Sequence, residues 1–174
     1  MKSLTGAHDA QEIVEGWLDQ LGFKHDSVEE EMDGYSWVLS IVNPVDEHFQ
    51  VGWMDEWGAL QIQAALEIGE LQQKAFLLMS ASDKLMFLDD VSARLANLAL
   101  EDLIFPAEGE EAERAPEEIT PANTPPGQIY MAATVLVDKP LYRSDFFAHY
   151  LRVRGALRSV SSMFKSMAML RRWK

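Results

Sequence analysis

The first residues to weigh for chemistry in this 174-residue chain are four histidines, several short runs of carboxylates and the tryptophans. A helical HExxH pair would hold zinc and activate a water molecule. His8, His25, His48 and His149 are scattered, none has a second histidine or an acid at such a spacing, and His25-Asp26 is only a local pair. They read as ordinary surface or loop histidines. Acid–base catalysis needs two positioned carboxylates whose pKa values are driven apart. Glu29, Glu30, Glu31 and Asp33, then Asp46 and Glu47, then Asp55 and Glu56 instead cluster where the chain reads as turns, and are expected to be solvated. The calcium-loop pattern D-x-[DN]-x-[DN]-G is absent, as are GxSxG, the P-loop and GxGxxG. There is no cysteine, which removes disulfides, thiolate metal sites and thiol nucleophiles. None of these residues forms a recognisable catalytic or metal-binding motif, so no catalytic residue, metal or cofactor is assigned, and an enzyme would need an active site scattered along the chain.

Binding chemistry is better represented. Trp37, Trp53 and Trp57 would serve as a stacking platform if exposed. Trp37 and Trp53 fall on alternating apolar faces and are expected in the core. Trp57 falls in a turn, where it is a candidate partner contact. Charge is the other signal. The net charge of −13 is unevenly spread: residues 1–80 carry −12, residues 81–138 carry −9, and residues 139–174 carry +8. An acidic body repels a phosphate backbone, so only the basic C-terminal stretch has the sign to meet nucleic acid.

The elements that must position these residues follow from periodicity. Residues 9–21 space Ile13, Trp17 and Leu21 as one helix face, with Asp9 and Glu12 at capping-box spacing and Gly22 placed to end the helix. Residues 29–34 form a polar link. The period then changes to two: 35–42, 48–54 and 59–66 alternate as three strands, joined by turns at 43–46 and 55–58. These predict a three-stranded antiparallel meander. Residues 69–82 fit either a helix or an extension of the sheet. From Ser82 onward Leu85, Leu88, Val91, Leu95 and Leu98 repeat as a helix, with Ser82 or Asp83 as its cap. Residues 100–108 and 128–137 read as a hairpin whose tip is the acidic, proline-rich stretch 109–127, expected to be a mobile loop. A last helix from about Ser144 carries the seam Phe146, Tyr150, Val153, Leu157, Val160, Phe164 and Met167, widened by Phe147, Leu151, Met163 and Leu170. Basic residues lie mostly off that seam, and cations near a helix C-terminus also favour its dipole.

In this order (helix, meander, helix, hairpin, long helix) the chain resembles the YbjN-like family, whose fold is that of type III secretion chaperones. The resemblance is carried by "WLDQLGF" (17–23), "DDVSARLANLAL" (89–100) and "DKPLYRSDFFAHYLRVRGALRSV" (138–160). It implies one α+β domain over 1–174, an antiparallel sheet with packed helices, interrupted by the loop 109–127. It also implies a small, acidic, non-enzymatic protein that forms homodimers and holds another protein, in a branch linked to stress responses.

The expectation is thus a protein-binding adaptor or chaperone-like homodimer. Its candidate partner-binding residues are Trp57, Arg154, Arg158, Arg171 and Arg172. Val153, Leu157, Val160, Phe164 and Met167 of the last helix form a core or dimer seam. The alternative is weak binding of nucleic acid or an acidic partner through the basic last helix. No apolar run reaches the roughly 18 residues of a membrane span and the N-terminus has no signal-like apolar region, so a soluble cytoplasmic protein without membrane partners is expected.

Overall fold

A computed structural model describes residues 4, 10–29, 32–107 and 124–171. The first helix, α1 (Ala10–Leu21), buries Val14, Trp17 and Leu18. It ends as its sequence predicts. Gly22 takes φ 73°, and the Gly22 and Phe23 amides return to the carbonyls of Asp19 and Leu18 at 3.0 Å each. This is the Schellman pattern, which satisfies two carbonyls that the helix leaves open. Asp9, the expected cap, lies outside the described residues.

The meander has four strands, not three: β1 (Lys24–Ser27), β2 (Tyr35–Val42), β3 (His48–Met54) and β4 (Ala59–Glu67). The missed β1 reads "KHDS", four polar residues with no alternation to betray them. Its register comes from β2, with Lys24 opposite Val42 and Ser27 opposite Leu39. Leu39, Ile41, Phe49, Val51, Trp53, Leu60 and Ile62 are buried, as alternation predicts. Trp37, expected in the core, is only half-buried, and the register of β2 on β3 shifts between Tyr35 and Trp37. The Tyr35 ring lies over Gly52, where an added Cβ would sit 2.6 Å from a ring carbon.

The ambiguous stretch is helical. The second helix, α2 (Glu70–Leu77), is followed by α3 (Ala81–Asn97). The cap of α3 is Ser80 rather than Ser82 or Asp83: Ser80 Oγ accepts from the Asp83 amide at 3.1 Å. Val91 and Leu95 are buried, but Leu85 is exposed. Two more strands follow, β5 (Glu101–Pro106) and β6 (Pro126–Leu136). Residues 126 and 127, read as loop, already belong to β6, and 108–123 lie outside the described residues. The strands form a six-stranded antiparallel sheet in the order β1-β2-β3-β4-β6-β5, so β5 and β6 are neighbours as the hairpin reading expects.

The last helix, α4 (Arg143–Arg171), starts one residue before Ser144. Asp145 accepts from the Tyr142 amide at 3.0 Å, the back-reaching half of a capping box. Phe146, Tyr150, Val153, Val160, Phe164 and Met167 are buried. At the centre the seam runs through Ala156, which is buried, with Leu157 half-buried. A 3.6-residue helix drifts from a strict seven-residue repeat, so one position slips. Leu151 and Leu170 do not widen the core; both are exposed.

The chain divides into two compact units, residues 1–64 with 132–154 and residues 65–131 with 155–174. In the first, the core lies between α1, the inner residues of β2 to β4 and the start of α4, where Trp17 meets Phe146 at 5.7 Å between ring centroids. In the second, Phe76 of α2 meets Phe87 of α3 at 6.4 Å, and Phe87 meets Phe164 of α4 edge-on at 4.9 Å.

Candidate functional site

In the first unit the β2–β3 turn is held by a polar network. Asn43 Oδ1 accepts the amides of Val45 (3.0 Å) and Glu47 (2.9 Å). Its Nδ2 donates to Glu47 Oε2 (2.6 Å) and to Tyr150 Oη (2.7 Å). Asn43 is buried, and these four bonds use both donors and both lone pairs of its amide. Glu47 Oε2 also accepts from Arg154 Nε at 2.5 Å. The hydrogen bond to Glu47, more than any other influence, raises the arginine pKa, so the guanidinium stays charged. Tyr150 is set by rings on three sides, with Phe23 and Phe49 edge-on at 5.0 Å each and Phe147 stacked at 5.6 Å. This arrangement pins a turn to a helix.

Arg154, a candidate partner contact, therefore has an internal partner. Trp57 is exposed (52%) in the β3–β4 turn, where Gly58 adopts φ 56°. Glu47 precedes β3 and Trp57 follows it. The seven residues of that strand set them apart by roughly 20 Å at about 3.3 Å per residue. Trp57 and Arg154 are thus not neighbours. Of the other candidates, Arg158 is exposed on α4 and Arg171 is its last residue. The side chain of Arg171 and all of Arg172 lie outside the described residues.

Among the described residues, two histidines make local side-chain contacts. His25 Nε2 pairs with Asp19 Oδ1 at 3.1 Å on the surface. His149 Nδ1 accepts from an Arg152 guanidinium nitrogen. Burial first, then Arg152, lower its pKa, with Asp145 opposing. Among the described residues, no group of three or more His, Asp or Glu side chains is placed to hold a metal ion, and no helix is long and apolar enough to cross a membrane.

The second unit carries what sequence reasoning missed. Of fifteen large apolar side chains exposed among the described residues, ten belong to it. On α2 and its end, Leu71, Leu77 and Leu78 are exposed; on α3, Leu85 and Met86; near the end of α4, Met169 and Leu170. On β5, Leu103, Ile104 and Phe105 are 65%, 36% and 44% exposed. A run of three apolar residues in a strand ordinarily signals burial on both faces. Here all three are exposed on the strand that ends the sheet, although Asp102 on one face bonds Ser92 of α3 and Phe105 on the other meets the Tyr130 ring. Only the strand order reveals this.

Neither a family model nor a curated protein matches the sequence. Among solved structures, an uncharacterized protein from Methanothermobacter thermautotrophicus superposes with a TM-score of 0.72 at 15% identity, covering 90% of this chain and 96% of that one. At that identity the likeness is one of fold, and this chain shares its fold with that archaeal protein.

Proposed function

We propose that this protein is a non-enzymatic adaptor, a chaperone-like binder that works as a cytoplasmic homodimer on another protein and belongs with the YbjN-like, secretion-chaperone-like class. The concentration of exposed apolar side chains on the second unit carries the reading. Scattered single exposures are normal on a soluble protein, whereas clustered ones mark places where another surface docks. The exposed face of α2, where Leu71 and Leu78 lie two helical turns apart, offers an anchor for a client segment. The acidic surroundings select clients of opposite charge and set the rate of encounter.

A tagged pull-down from native lysate, with and without nuclease, tests this. One protein should be retained in both conditions and lost from a Leu71→Asp, Leu78→Asp variant that keeps its native circular dichroism. Capture that disappears with nuclease would instead favour nucleic-acid binding through the basic stretch of α4, the reading that Arg158 and Lys165, both exposed, support. That binding should fall steeply with salt.

A further inference from the structure

We infer that the end of the sheet built from the β3–β4 turn and the close of β6 is a docking site for a basic segment of another protein, an extended one with an arginine and an aliphatic residue two positions apart. The site lies in the first unit, whereas the anchor on α2 belongs to the second. It rests on the adaptor reading only in taking its ligand from another protein.

Two bonds fix how β6 runs beside β4. The Val137 amide donates to the Gly58 carbonyl at 3.1 Å, and Gln61 Nε2 donates to Thr134 Oγ1 at 3.1 Å. Both fit one antiparallel register, with Gly58 opposite Val137, Ala59 opposite Leu136 and Leu60 opposite Val135. Leu60 and Val135 are buried on the core face. Leu136 therefore stands on the other face with Thr134 and Gln61, and is 63% exposed. Trp57, which directly precedes Gly58, is exposed too. Two residues along and one strand across set the backbones of Trp57 and Leu136 roughly 8 Å apart.

This surface is held in place before any ligand arrives. Tyr35 Oη donates to Gln61 Oε1 and Gln61 donates on to Thr134, so side chains of β2, β4 and β6 form one ladder beside Leu136. Ser36 Oγ donates to Asp55 Oδ2, and the Gly58 amide closes the turn on the Asp55 carbonyl at 3.2 Å. A surface ordered in advance loses little freedom on binding.

Charge selects the occupant. Glu29 and Asp33 lead into β2, whose first residue, Tyr35, pairs with Met54 beside the turn. Asp55 and Glu56 lie in the turn, and Asp138 follows Val137. Within these segments one base, Lys139, stands against the acids. Among the described residues, Asp33, Glu56 and Asp138 have no ion-pair partner. The acidic turn between β2 and β3, at the opposite end of β3, draws Arg154 to Glu47. The β3–β4 turn repeats the acids and leaves the cation to come from outside. Phosphates and anionic lipids have the wrong sign for it. An arginine satisfies both features at once, since its guanidinium plane stacks on an indole and its N–H fork meets carboxylates. Side chains two apart in an extended segment project to one side about 7 Å from each other, close to the step from Trp57 to Leu136.

The probe is a capped, labelled peptide, Gly-Arg-Ser-Leu-Gly-Arg-Ser-Leu-Gly, titrated against the full-length protein by fluorescence anisotropy in about 0.15 M NaCl. Trp57→Ala and Glu56→Lys, both at exposed positions, should each weaken binding about fivefold with unchanged circular dichroism. Replacing both arginines of the peptide by lysine should weaken it about threefold. Leu71→Asp, Leu78→Asp should leave it unchanged. No binding at about 1 mM protein overturns the inference, as does a Trp57→Ala affinity equal to that of the parent. A lysine peptide that binds as tightly as the arginine one also overturns it, because attraction to a charged body would then suffice. The adaptor reading is scored apart, by the client held through Leu71 and Leu78. Peptide binding without such a client keeps this site and removes that anchor, and the reverse result removes this site alone.

Discussion

Asn43 makes four hydrogen bonds from a buried amide, and its removal leaves the Val45 and Glu47 amides without their acceptor. Asn43→Ala should therefore cost about 2–4 kcal/mol in urea unfolding, while Tyr150→Phe, which keeps the ring packing, should cost about 1 kcal/mol. A double-mutant cycle checks that the two losses overlap, since the residues share a bond. His149 sets a pH dependence. Its pKa is below 6.5 in the folded protein, so once the pH falls below 6.5 the unfolded chain takes up the proton first. Stability is full above 6.5 and declines as the pH falls through the folded pKa. His149→Gln should flatten the urea-midpoint profile over that window. The sequence could flag neither site. Asn43 read as one residue of a proline turn, because Tyr150 lies more than a hundred residues from it, and His149 as a surface histidine, because its burial is set by the fold.

At the scale of elements, α3 depends on its start. Ser80 accepts the Asp83 amide, and Ser80→Ala should lower stability by about 1 kcal/mol, read from the unfolding midpoint, with Ser80→Asp restoring most of it. Three serine or aspartate positions, 80, 82 and 83, can each cap a helix locally. Which one does so depends on where α2 releases the chain, at Leu78 and Met79. Helices 1, 3 and 4, strands 2 to 4 and the C-terminal glycine of α1 were legible because each repeats a period or uses a residue of known backbone preference, whereas α2 fell in a stretch that fitted helix or strand alike. β1 was not, since a short polar edge strand owes its register to the strand beside it. In α4 the seam was legible except at its centre, where burial fell on Ala156 instead of Leu157.

For the whole molecule, a net charge of −13 repels itself, while the basic stretch 139–174 attracts the acidic remainder. Screening weakens both. Self-repulsion outweighs attraction at this charge, so the melting temperature should rise by a few degrees between about 0.02 M and about 0.5 M NaCl. A fall would show that attraction between the basic helix and the acidic body dominates. By itself the sequence determined the α+β class, most elements and their order, the charge division and the want of a catalytic motif. All of these are local or compositional properties, set within a few turns or residues. The tertiary structure decided which apolar residues stay in water. Leu103, Ile104 and Phe105 have the composition of an inner strand, and only long-range pairing made β5 the last in the sheet. It likewise committed Arg154 to Glu47 rather than to a partner, because the fold brings α4 against the β2–β3 turn. Burial is a property of neighbours, and neighbours distant in sequence are chosen by the fold.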